Sequence, residues 1–218
     1  MNTEAPAEQV SSAIARWISA LPDALTSLAY LVTWFSPLLW KVDAVKFLML
    51  VMLLEFLVVH SGAFIGAIVL SDKASRRAKT LAVLGFGSFY MLFAGAFSLA
   101  FDSWWPVLTF GWLLAAKFAM IWLAPVAKTE EAQRQMTLWA FSVAAYLGAV
   151  FLGVILPLPR FGLEADVVAQ LHLPGSGQWI EKPHTVIAGG FVYFGLLAWM
   201  KFKYRPEWAR TMRSGRRA

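Results

Sequence analysis

The stretch from Phe47 to Leu70, FLMLVMLLEFLVVHSGAFIGAIVL, limits what this chain can become more than any other. Its 24 residues hold only three strongly polar side chains, Glu55, His60 and Ser61. A helix of that length rises about 36 Å, enough to cross a hydrocarbon layer of roughly 30 Å with some tilt. A helix apolar on every side has no face to offer water, so the segment reads as a transmembrane span. Gly62 and Gly66 follow at a small-xxx-small spacing, which predicts close approach of another helix.

Five further apolar segments surround it, at about 24–40, 80–101, 104–124, 136–156 and 185–202. The first is the weakest, carrying Thr26, Ser27, Thr33, Ser36 and Pro37. Trp104, Trp105 and Trp122 bracket the fourth as an aromatic belt does. With 59% hydrophobic and 15% charged residues and a mean hydropathy of +0.61, a soluble domain could not cover its apolar surface. The expected fold is all-α, a polytopic bundle of about six transmembrane helices.

Residues 1–23 read as a polar tail followed by a short interfacial helix. Val10, Ile14, Trp17, Ile18 and Leu21 fall on one helical face, and Pro22 and Asp23 open the first span. The tail lacks the basic start of a signal peptide, so no cleavage is expected. Residues 24–202 form the bundle. Its one long connection is 157–184, where LEADVVAQLH (163–172) predicts a short amphipathic helix and PGSG (174–177) a turn. Residues 203–218 form a basic tail.

Placing both termini in the cytoplasm puts 14 Lys and Arg on the inner side, among them Lys73, Arg76, Arg77 and Lys79. The outer side then has four: Lys41, Lys46, Arg160 and Lys182. That asymmetry follows the positive-inside rule and suits a multi-pass protein of a bacterial inner membrane. It also accounts for the net charge of +6 without nucleic acid, because the bases flank apolar spans. The expected partners are the bilayer, anionic lipids at the basic tail, and other membrane proteins or further copies of this chain.

Ionisable groups deep in a bilayer are costly and point to function. From the helical rise, Glu55 lies about 13 Å, His60 about 21 Å and Lys117 about 20 Å inside the outer boundary. An ion pair between Glu55 and Lys117 is the cheapest way to hold both charges there. Five residues turn a helix by about 140°, so Glu55 and His60 meet different neighbours. Tyr90 and Tyr146, both mid-span, are the candidate hydrogen-bond partners. Against this stands a purely structural polar network, and for Lys117 a side chain that snorkels to the nearer surface. Outside the spans, His172, His184 and Glu181 are the weak candidates for a metal.

Enzyme signatures are missing. No cysteine is present, which excludes disulfides, thiolate metal sites, iron–sulfur clusters and covalent haem. There is no HExxH, GxSxG, Walker or dinucleotide motif. One mid-membrane histidine argues against multi-haem cytochromes, and the sequence names no cofactor. Three readings follow. The first is a bundle with an internal polar site at Glu55, His60 and Lys117, transporting or sensing a proton or small ligand. The second is a non-catalytic subunit or assembly factor of a larger complex. The third, and weakest, is an intramembrane metalloenzyme acting on lipid.

Overall fold

The computed structural model describes residues 6–40, 43–71, 73–123 and 129–203. Among them every regular element is helical: α1 Pro6–Phe35, α2 Asp43–Leu70, α3 Arg76–Ala100, α4 Trp105–Leu123, α5 Thr129–Ile155, α6 Ala165–Gln170, α7 Gln178–Glu181 and α8 Pro183–Lys203. Six of these are long and apolar enough to cross a membrane. The chain is therefore an all-helical, multi-pass membrane protein in its architecture. The basic tail at 204–218 and Lys41 lie outside the described residues.

The start of the chain departs from the sequence reading. No boundary falls at Pro22, and α1 runs through it as one helix of 30 residues. Proline removes one i to i−4 hydrogen bond and ordinarily breaks or kinks a helix. Here contacts with α8 brace both flanks of the proline. Trp17 packs on Phe202 with ring centroids 4.8 Å apart, and the Lys201 ammonium lies 2.6 Å from Asp23 Oδ2. One turn further, Ser27 donates to the Phe191 carbonyl at 2.8 Å. Tertiary packing overrides the local signal.

The helices form two groups that share α2. In the first, α8 lies between α1 and α5, and α1·α8 is the most extensive helix contact of the molecule. Tyr30, fully buried, stacks on Phe194 at 5.6 Å, and a Cβ placed on Gly190 would run into its ring. In the second, α3 and α4 pack along each other and against α2 through Leu54, Leu57, Tyr90, Ala94 and Phe110. Gly87 makes room there for Leu114. Helix α2 also meets α5 and α8, whereas α4 and α5, successive in sequence, do not pack along one another.

Connections define the two ends of the bundle. At one end Lys79 donates to the Val69 carbonyl at 2.9 Å, and Trp122 Nε1 donates to Thr80 Oγ1 at 3.2 Å. The lysine thereby satisfies a carbonyl left open by the end of α2. At the other end Asp102 turns the chain with φ of 48°, a left-handed geometry that Asp tolerates better than most residues. The segment 157–184 folds back over this end. Leu163 and Leu171 are fully buried, Trp34 Nε1 donates to the Pro159 carbonyl at 3.0 Å, and Phe35 stacks on Phe161 at 4.2 Å. The predicted short helix is there as α6, and the predicted turn has Gly175 and Gly177 at positive φ.

Candidate functional site

A cavity of about 370 Å³ opens between α4 and α5, where those helices fail to pack. Its floor is one face of α2, with Glu55, Gly62, Ala63, Gly66 and Ala67. Helix α4 supplies Leu113 and Lys117, α5 supplies Gln135, Met136, Trp139 and Ser142, and α8 supplies Tyr193, Leu197 and Lys201. Asp23 reaches it from α1. The volume lies in the range of small-molecule sites.

The small residues of α2 are what keep this space open. A Cβ on Gly62 would touch the Trp139 indole at 3.4 Å, but one on Gly66 would meet nothing within 4 Å. Gly66 therefore does not mark a helix–helix contact as its spacing suggests. It leaves a void that a larger side chain would occupy. Trp139 holds the α5 wall in place by donating from Nε1 to the Val59 carbonyl at 2.8 Å.

Glu55 and Lys117 both line the cavity, but no ion pair joins them among the described residues. That expected pairing is replaced by another. Glu55 lines the cavity together with Tyr193 and lies in the field of Asp23 and Lys201. Asp23 is buried and held by Lys201, itself about half exposed. Lys117 is half-buried on the opposite wall, with no described hydrogen bond or ion pair. Two acids and two bases thus converge on one cavity with no formal excess of charge.

Of the other candidates, Tyr146 lies beside Glu55 electrostatically, but its hydroxyl is committed to the Met52 carbonyl at 3.0 Å. His60 is not part of the cavity. It stands on the outer face of the α2–α3 pair, with Nδ1 2.7 Å from the Tyr90 hydroxyl. The structure therefore divides the expected site: Glu55 and Lys117 go to the interior, His60 and Tyr90 to a separate pair.

The metal candidates do not assemble. His172 and Glu181 are exposed, His184 is buried beneath the folded segment, and no three His, Cys, Asp or Glu side chains gather among the described residues. Sequence reasoning missed Asp23, Tyr193 and Lys201. Asp23 looked like the residue that opens a span and Lys201 like topogenic charge, while Tyr193 stood out by nothing in the sequence. An acid near the start of one span and a base near the end of another was the signal available. Comparison with protein-family models, curated proteins and solved structures finds no match to this chain.

Proposed function

We propose that this protein is a small membrane transporter that moves a proton, alone or with a small polar solute, through the α2–α4–α5–α8 cavity. One observation carries the reading: Asp23, Glu55, Lys117 and Lys201, from four different helices, converge on a single membrane-embedded cavity. Bringing charge into low dielectric is expensive, and a merely architectural role would be served as well by apolar side chains. Glu55 is the group proposed to carry the proton, because it sits in the cavity floor, which it shares with Asp23, Tyr193 and Lys201. The proposed setting is the inner membrane of a bacterium, with both termini and the bases at 73–79 on the cytoplasmic side. The charge asymmetry of the connections supports that orientation.

The test is proton flux into proteoliposomes loaded with a pH-sensitive dye and driven by a potassium diffusion potential. Wild-type protein is expected to acidify the lumen several-fold faster than protein-free vesicles, and Glu55→Gln to return the rate to background. Wild-type flux equal to that of empty vesicles between pH 5 and 8 would sink the proton reading.

A further inference from the structure

We infer that the outer face of the α2–α3 pair, centred on His60, binds a carbonyl-bearing ring compound dissolved in the membrane, of the quinone class. The inference is independent of the cavity, because His60 lies outside it.

The argument begins with a proton. Tyr90 is 4% exposed, and its hydroxyl meets His60 Nδ1 at 2.7 Å, its one hydrogen bond among the described residues. A phenol hydroxyl with no water nearby needs an acceptor for its hydrogen, which assigns Tyr90 as the donor and Nδ1 as the acceptor. A neutral imidazole that accepts at Nδ1 carries its hydrogen on Nε2. That N–H belongs to an exposed side chain and has no partner among the described residues. In hydrocarbon an unmatched donor is costly.

Depth then selects the acceptor. His60 is 17 residues beyond Asp43 and ten short of Leu70 in α2. Centring that helix in the bilayer puts it about 10 Å below the nearer hydrocarbon boundary. Lipid ester carbonyls sit at the boundary, so a molecule that dwells in the interior suits the donor better. A second copy of the chain is a poor match, because a two-fold contact here would set one Nε2–H against another.

The surroundings select a ring. Phe56 stacks on the imidazole at 5.5 Å and 18°, and Phe64 meets it edge-on at 5.7 Å. Phe64 and Phe86 lie nearly parallel, 7° apart with centroids 5.6 Å from each other. All three phenylalanines are exposed. Flat aromatic walls beside one directed donor fit a planar ring with a carbonyl at its edge.

Decylubiquinone binding to the full-length protein in lipid nanodiscs tests this, read by direct binding of labelled ligand and by the infrared carbonyl stretch. Saturable binding is expected, with a carbonyl band shifted to lower frequency. His60→Phe, which keeps the aromatic surface but removes the donor, should weaken binding at least about tenfold. His60→Gln, which restores an N–H donor, should lie within about threefold of wild type. No saturable binding, an unshifted carbonyl in the wild-type complex, or equal affinity in His60→Phe would overturn the inference. A wild-type dimer that His60→Phe dissociates would also overturn it, by assigning the face to a second copy.

Discussion

Lys201 of α8 places its ammonium nitrogen 2.6 Å from Asp23 Oδ2 of α1, tying together the two helices that share the largest contact. The lysine side chain is 45% exposed and the aspartate 11%, so the pair stands between a surface bridge and a buried one. Lys201→Met leaves the Asp23 carboxylate without its partner and should cost about 1 to 3 kcal/mol. Adding Asp23→Asn should recover at least half of that loss. A double-mutant cycle on thermal unfolding in detergent measures both, and strictly additive losses would show that the contact contributes nothing.

Two glycines on facing helices should respond in opposite ways. At Gly190 a Cβ collides with the fully buried Tyr30 ring, so Gly190→Ala should destabilise by about 1 to 3 kcal/mol. At Gly66 the same methyl meets nothing, and alanine forms helix better than glycine. Gly66→Ala should therefore be neutral or slightly stabilising, as read by the midpoint of thermal unfolding.

Tyr30 and Tyr146 each donate to α2, at the Leu48 and Met52 carbonyls, 2.6 and 3.0 Å away. Those carbonyls lie inside a helix and do not become orphans when the hydroxyl goes. Tyr30→Phe and Tyr146→Phe should thus cost only about 0.5 to 1 kcal/mol each, near the low end for a hydrogen bond. The two residues share no hydrogen-bond partner, so the double variant should lose the sum.

Filling the cavity should separate function from stability. Gly66→Leu directs a large apolar side chain into the cavity, where a Cβ meets no protein atom within 4 Å, so unfolding should shift by no more than about 1 kcal/mol. Proton flux in proteoliposomes should fall to background all the same. Retained flux in that variant would place the route elsewhere.

Most of the fold was legible because length and hydropathy alone decide what can span a bilayer. The limits of α3, α4 and α8 fall close to the apolar segments that predict them. Pro22 misled because its local meaning is to break a helix, and the packing of Trp17 on Phe202 that overrides it joins residues far apart in sequence. Glu55 was legible as a carboxylate in an apolar run. Its neighbours were not, since hydropathy gives depth but not rotation. His60 and Lys117 are level by depth, yet one faces outward beside α3 and the other faces the cavity.

The position of α8 between α1 and α5 also has a consequence for biogenesis. Ser27, Tyr30 and Asp23 find partners or packing in a helix that leaves the ribosome more than 150 residues after them. Until then α1, the least apolar of the spans, holds the Asp23 carboxylate and the Ser27 hydroxyl against lipid or translocon, whereas the Tyr30 hydroxyl already reaches the Leu48 carbonyl of α2. Helix α8 thus works as a keystone. A nascent chain stopped before Pro183 exposes those groups together, giving membrane quality control a local mark of an unfinished protein.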